Sequence, residues 1–228
     1  MGNYTPTWLF LLEQNLNMWK HHQQQLLIID QRIEALLDEL VRNRPDVTGT
    51  KPPKPIRHHQ PSIKDLHQKL LNLHGVDVTT LSGITDYTLL QLAGETGIEM
   101  HRFPTAKHFV SWCQLSPRNN QSGKTNRNIR VQNKSRAGQI FRQAAQSLLQ
   151  SKYTAIGAFM RRIKNKRGAP VAIKAGARKI ATAYYNIITK GVQYVESGIQ
   201  QYEERLKSRE LKLLDLLARK HNAQLVFS

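Results

Sequence analysis

The sequence predicts an all-α protein, with a long N-terminal coiled-coil helix followed by a compact helical domain. Three observations lead to this fold class. A heptad pattern runs unbroken through residues 9–40, and no segment alternates apolar and polar residues with the period of a β-strand. The stretch from Ala169 to Ala183 is rich in alanine, which lets helices approach closely.

The heptad pattern defines the first element. Spacings of three and four alternate along one seam of a helix, at Leu9, Leu12, Leu16, Trp19, Gln23, Leu26, Asp30, Ile33, Leu37 and Leu40. Gln23 and Asp30 are the polar members, and polar residues at such positions set register or partner number. The pattern indicates a coiled coil over residues 8–41 that forms a homo-oligomer of roughly two to four chains. A single helix folded back on the rest of the chain is the alternative.

Prolines divide the chain after this helix. The run Lys51-Pro52-Pro53-Lys54-Pro55 cannot continue a helix and favours extended geometry. We therefore predict a coiled-coil helix over residues 1–44, a proline-rich linker over 45–61 and a helical domain over 62–228.

The helical domain begins with a weak capping signal, in which Ser62 is followed three residues later by Asp65. The segment Leu81-Ser82-Gly83-Ile84-Thr85 is typical of a helix-hairpin-helix connector, whose turn presents backbone amides to a DNA phosphate; a plain turn is equally compatible with it. Residues 116–133 are too polar to bury. Helices are predicted at 62–73, 85–96, 104–114, 135–150, 154–166, 171–190 and 192–220.

Charge is distributed unevenly along this chain of net charge +18. Between Glu99 and Glu196 there is no acidic residue, whereas 19 of the 34 Lys and Arg residues lie there. A surface of one sign over this length favours a polyanionic partner, above all nucleic acid. A basic, solvated face without a partner is the alternative.

Composition limits the other classes of protein. With 39% hydrophobic residues the chain can build a core, and with 7% aromatic residues we expect an aliphatic one. The single cysteine, Cys113, excludes an internal disulfide; its apolar neighbours predict a buried structural thiol, and its isolation fits a reducing cytoplasm. No apolar run approaches membrane-spanning length, so no membrane partner is expected.

The polar loop offers the one candidate for chemistry. The basic region has no carboxylate for a two-metal site and no glycine-rich phosphate loop, so no residue is assigned as a metal ligand. Ser122 precedes Gly123, and four cations lie nearby: Arg118, Lys124, Arg127 and Arg130. Serine needs activation to act as a nucleophile, and clustered arginines can hold a phosphodiester. The residues alone fit either such a nucleophile or a Ser-Gly turn in a phosphate-binding loop.

From about Leu73 to its end, the chain resembles the C-terminal transposase domain of the bridge-RNA-guided insertion-sequence transposases. The first motifs that carry the resemblance are Gly75-Val76-Asp77, Leu81-Ser82-Gly83-Ile84, Glu95-Thr96-Gly97, Phe103-Pro104-Thr105-Ala106-Lys107-His108-Phe109, Trp112, Leu115-Ser116-Pro117 and Ser122-Gly123-Lys124. The later ones are Arg142-Gln143-Ala144-Ala145-Gln146-Ser147-Leu148, Gly157-Ala158-Phe159-Met160-Arg161-Arg162, Gly168-Ala169-Pro170, Ala177-Arg178-Lys179, Tyr184-Tyr185, Gly191-Val192-Gln193-Tyr194 and Tyr202-Glu203.

The resemblance implies a function. It assigns Ser122 as the nucleophile that attacks a DNA phosphodiester and forms a phosphoserine link, and it implies DNA and a structured guide RNA as partners. It also implies DNA transposition by recombination in a bacterial, nucleoid-associated setting in the cytoplasm, and a dimerising role for the coiled coil.

The family also has an N-terminal RuvC-like domain whose acidic residues bind a divalent metal, Mg. The chain starts at the coiled coil, so we expect a fragment of a longer protein or a truncated gene. The alternative function is a truncated, non-catalytic nucleic-acid-binding remnant that modulates the full-length transposase.

Basic residues are assigned to two kinds of DNA contact. We expect Arg118, Lys124, Arg127 and Arg130 to contact the scissile strand. Contacts to the nucleic-acid backbone are assigned to Arg136, Arg142, Arg161, Arg162, Lys164, Lys166, Arg167, Arg178 and Lys179.

Overall fold

The structure is a computed structural model and describes residues 5–47, 61–117, 120–122, 125–127, 135–191 and 198–221. The chain divides into two compact units, Met1–Gly75 and Val76–Ser228. The described residues are predominantly helical, which confirms the all-α fold class. The domain bounds inferred from the sequence stay a prediction, since most of the linker lies outside the described residues.

The first unit contains α1 (Pro6–Val41) and α2 (Leu66–His74). The long N-terminal helix is therefore confirmed. The last part of α1 packs on α2, and an ion-pair network joins them: the Lys69 ammonium lies 3.1 Å from a carboxylate oxygen of Glu34 and 2.7 Å from one of Asp38. Leu37, on the heptad seam, is buried.

The predicted cap of α2 at Ser62 is wrong. The helix begins at Leu66, after Asp65 in a left-handed conformation (φ 49°) without a side-chain cap. The Ser62 backbone N–H instead donates to the Asp30 carboxylate at 2.9 Å. Asp30, a polar residue of the heptad seam, therefore makes a hydrogen bond within its own chain. Its carboxylate accepts from the Ser62 N–H, the same group that would donate to the Asp65 side chain in a capping box.

The rest of α1 exposes its apolar residues in the single chain. They occupy the seam and also neighbouring positions: Trp8, Leu9, Phe10, Leu11, Leu12, Leu16, Met18, Trp19, Leu26, Leu27, Ile28 and Ile29. Contiguous exposed apolar area of this kind marks an interaction surface in soluble proteins.

The second unit contains the remaining elements. In chain order they are a 3₁₀ turn (Val78–Thr80), α3 (Asp86–Thr96), α4 (Ala106–Trp112), β1 (Asn120–Ser122), β2 (Thr125–Arg127), α5 (Arg136–Leu148), α6 (Ala155–Arg167), α7 (Ala169–Lys190) and α8 (Gly198–Lys220). All the predicted helices are present, with ends shifted by a few residues. The antiparallel β1–β2 hairpin was not predicted, because strands of three residues are too short to show a period of two.

Ser and Thr residues begin four of these helices. The side-chain oxygens of Thr85, Thr105, Ser135 and Thr154 each accept a hydrogen bond from the backbone N–H three residues later. Such caps satisfy amides that have no partner inside the helix. The starts of α3, α4, α5 and α6 are therefore fixed by local sequence.

Helix α7 is the centre of the second unit and packs against α4, α5 and α6. Its alanine-rich face allows close approach, as predicted: a Cβ added at Gly176 would lie 2.0 Å from the Met160 sulfur on α6. The expected aliphatic core is largely confirmed, because most of the buried apolar residues described are Leu, Ile, Val or Ala. The core also contains an aromatic cluster where α4, α5 and α7 meet, in which the Phe109 ring lies 5.9 to 6.0 Å from those of Phe141, Tyr184 and Tyr185.

The helix-hairpin-helix-like connector packs against α5. Gly83 has φ +88°, and a Cβ added there would meet Leu148 Cδ1 at 3.0 Å and the Ala144 carbonyl oxygen at 3.1 Å. The Ile84 N–H donates to the Leu81 carbonyl at 3.0 Å, which closes the turn. This glycine is thus explained by packing within the second unit.

Candidate nucleic-acid interface

The predicted backbone-binding residues lie mainly on α6 and α7. Lys164, Lys166 and Arg167 are exposed in the last turns of α6, and Arg178 and Lys179 are exposed on α7. No acidic residue occurs in either helix. The end of α6 is thus a strongly basic surface.

Four of the predicted residues have internal partners or partial burial. The Arg161 guanidinium donates to the Ser151 carbonyl, and that of Arg162 lies 3.0 Å from a Glu210 carboxylate oxygen on α8. Arg136, although largely exposed, is 3.6 Å from a Glu95 carboxylate oxygen, and Arg142 is half-buried. Their internal partners or partial burial make these four side chains the weaker candidates for phosphate contacts.

A groove beside α7 brings three of the predicted cations together. It has a volume of about 1030 Å³ and includes residues of α6, α7 and α8. Arg167, Arg178 and Lys179 line it, together with Lys174 and Arg205. None of the described residues lining the groove is Asp or Glu. A groove lined by one sign of charge concentrates counter-ions and attracts a polyanion.

The position of Lys179 affects its pKa. Its ammonium lies 4.0 Å from the centre of the Phe159 ring, although the residue reaches solvent. Burial, and then the positive charge of Arg209 on α8, lower the pKa of Lys179 below its usual value. Burial is the larger cause, and the charge of Arg209 adds to it, so a bound anion would favour the charged form of Lys179.

The hairpin places Ser122 at the last position of β1, paired with Thr125 of β2. Its side chain lies outside what the structure describes, as does that of Arg127 on β2. Arg118, Lys124 and Arg130 fall outside the described residues altogether. The predicted scissile-strand contacts therefore stay predictions.

Chain connectivity links the hairpin to the groove. Leu115 and Pro117 line the groove, and β1 begins three residues after Pro117. Whatever path the chain takes, the Cα of Ser122 lies within about 18 Å of that of Pro117, because five residues span no more. A bound strand could thus extend from the groove to the hairpin.

Two of the groove cations, Lys174 and Arg205, lie outside the set predicted from the sequence. Lys174 is four residues before Arg178 on α7, so helical periodicity could have placed both on one face. Arg205 lies in α8, beyond the acid-free stretch and next to Glu203 and Glu204, so regional charge gave no signal for it.

The single cysteine and the acidic residues offer no alternative centre in the described parts. Cys113 is buried, as predicted, and burial raises the pKa of its thiol to about 12. Across the described ranges, no three His, Cys, Asp or Glu side chains group closely enough to hold a metal ion. The residues described here do not provide the magnesium site implied by the resemblance. Also within these ranges, no helix is long and apolar enough to cross a membrane.

Part of the second unit matches a known protein family. Residues 77–161 match the model of the Transposase IS116/IS110/IS902 family, whereas a search of curated proteins found no match. The matched segment covers less than half of the chain; it contains α3, α4, the hairpin with Ser122, α5 and the first half of α6. The match supports a transposase domain of this family in the second unit of the chain.

Proposed function

We propose that this chain is the DNA-binding and strand-exchanging part of a serine-type transposase. The observation that carries the proposal is the hairpin with Ser122, joined through Pro117 to a groove lined by five cations. The family match over residues 77–161 adds the expectation of DNA as substrate. No single motif here specifies the reaction, but the nucleophile type, the charge and the family agree.

The proposed reaction is a transesterification. The Ser122 hydroxyl oxygen attacks the phosphorus of a DNA phosphodiester and loses its proton. A new serine–phosphate bond forms, the bond from phosphorus to the leaving strand's sugar oxygen breaks, and that oxygen takes up a proton. Attack by an incoming strand's hydroxyl reverses the step and rejoins the DNA. Cations around the phosphate stabilise the negative charge on its oxygens.

Further partners are part of the same proposal. A structured guide RNA would select the DNA site, and a RuvC-like domain with bound magnesium would complete the transposase. Both come from the resemblance. No step of the serine chemistry above is assigned to the metal, since the described residues provide no ligand set for it.

The test is to map a covalent intermediate in a complete transposase that contains this chain. A nicked DNA substrate, whose leaving strand diffuses away, should trap a protein–DNA adduct that survives denaturant. Proteolysis and mass spectrometry should locate the phosphodeoxynucleotide on the peptide containing Ser122. An adduct at another residue, or strand exchange without an adduct, would refute the assignment. Nucleic-acid binding without any strand exchange would favour the non-catalytic alternative.

Self-association through α1 is proposed on separate grounds. The seam residues Leu9, Leu12, Leu16 and Trp19 are between 45% and 61% exposed in the single chain. A heptad seam of this kind buries its apolar residues by pairing with the same seam of another copy. The packing of the end of α1 on α2 leaves residues 8–29 for that pairing.

Charging the seam should separate the copies. We expect Leu12→Lys with Leu16→Lys to convert an oligomer into a monomer, because the seam would bury like charges. Light scattering after size-exclusion chromatography measures the mass directly. Gln14→Lys is the matched control, since Gln14 lies on the opposite face of the helix and should leave the mass unchanged. A monomeric wild-type chain at high concentration would contradict the proposal.

A further inference from the structure

The groove beside α7 is lined by apolar side chains as well as by cations. Ile156 and Phe159 of α6 and Val171, Ala175 and Ala183 of α7 line it with the cations named above. Duplex DNA presents phosphates and keeps its bases stacked inside, so apolar lining residues offer few contacts to a duplex backbone. Unpaired strands can turn their bases onto apolar and aromatic surfaces, while their phosphates meet a basic rim.

Phe159 is the aromatic residue among the described residues that line the groove. The residue is half-buried, and its ring is within reach of the groove. The ammonium of Lys179 lies over this ring, 4.0 Å from its centre. A base that stacks on that face would take the place of the ammonium, which then becomes available to a neighbouring phosphate. Stacking on an aromatic ring with nearby cations is the usual way in which proteins bind single strands without reading their sequence.

The size of the groove is compatible with a strand. The volume of about 1030 Å³ lies at the upper limit of roughly 300–1,000 Å³ for pockets that hold one small molecule. Small side chains at Ala175 and Ala183 help to keep this space open. The groove therefore has room for more than one nucleotide.

We propose that the groove between α6, α7 and α8 binds an unpaired segment of the DNA strand on which the Ser122 hairpin acts. This inference rests on the proposed function and adds the form of its substrate. DNA is favoured over RNA because the groove includes Pro117, three residues before the hairpin. The strand that is held in the groove is thus the one that can reach Ser122.

Fluorescence anisotropy with the full chain tests the proposal. The probes are an oligothymidylate of about 15 nucleotides, a DNA duplex of the same length and an oligouridylate. Phe159→Ala should weaken binding of the oligothymidylate by about 5- to 150-fold and leave duplex binding within about twofold. Tyr153→Ala is the matched control, because Tyr153 is an aromatic residue that is 85% exposed and does not line the groove.

A second variant separates loss of stacking from loss of folding. Ala175→Leu adds a side chain into the groove and should also weaken oligothymidylate binding, with an unchanged circular dichroism spectrum. Unchanged oligothymidylate binding in both variants, or an equal loss for the duplex, would overturn the proposal. Tighter, Phe159-dependent binding of oligouridylate would assign the groove to RNA and overturn it too. If any of these outcomes is found together with salt-sensitive duplex binding, the groove proposal fails and the proposed function is retained. If the chain binds no nucleic acid at all, both proposals fail.

Discussion

Replacing Ser122 by alanine is expected to lower strand exchange by the complete transposase by at least about a thousandfold. The variant has no oxygen with which to form the bond to phosphorus. Water attacking in its place would hydrolyse the strand, and no serine–phosphate ester would be left for an incoming strand to attack. DNA binding should stay within about twofold of the wild type, since the groove cations are untouched. A recombination assay and a binding isotherm on the same preparations measure both quantities.

Ser111→Ala is the matched control for this experiment. Ser111 lies exposed in α4, outside the hairpin and outside the groove lining, so strand exchange should be unchanged. If Ser122→Ala recombines at the wild-type rate, Ser122 is not the nucleophile. If it loses DNA binding in parallel with recombination, the residue supports the loop's structure or its phosphate contact.

Gly138→Ala should cause the largest loss of stability of any alanine substitution considered for the second unit. A Cβ at position 138 would lie 2.0 Å from the Cys113 carbonyl oxygen and 3.2 Å from its carbon. Both are backbone atoms at the end of α4, so α5 has to move away from them. We expect a loss of at least about 3 kcal/mol, which outweighs the gain of about 1 kcal/mol from replacing a helical glycine.

A thermal melt followed by circular dichroism measures this effect, with a decrease in Tm of about 4 to 8 °C for a net loss of about 2 kcal/mol. Gly94→Ala is the matched control in α3, where the glycine is exposed and an added Cβ meets no atom within 4 Å. There the same substitution should stabilise the protein by about 0.5 to 1 kcal/mol. Equal effects at the two positions would mean that α5 does not approach α4 as closely as described.

Much of the fold could be predicted because its signals are local. The heptad spacing predicts α1, and Ser or Thr before the first turn fixes the starts of α3 to α6. Partner choice along those helices is not a local property. Asp30 was assigned to a seam between copies, but its carboxylate accepts from the Ser62 N–H in the same chain. Nothing in the spacing of either residue reveals that contact.

For the candidate site as well, some features follow from local sequence and others depend on helix packing. The uneven distribution of charge predicts phosphate contacts on α6 and α7, yet it cannot separate cations with internal partners from those that line a groove. Arg161 and Lys179 have similar sequence surroundings, but one donates to the Ser151 carbonyl and the other reaches over Phe159. The groove itself depends on Arg205 of α8 and on small residues of α7, whose joint position is decided by helix packing.

The two-sided use of α7 constrains how its length can change. Ile180 and Tyr184 are buried in the core, while Arg178 and Thr182 line the groove on the same helix. One residue inserted near the middle would rotate everything after it by about 100°, a turn being 3.6 residues. Tyr184 and Tyr185, which follow the insertion, would then turn away from the core, and Thr182 would turn away from the groove. In homologous chains, insertions and deletions should therefore occur outside this helix, before Gly168 or after Gly191.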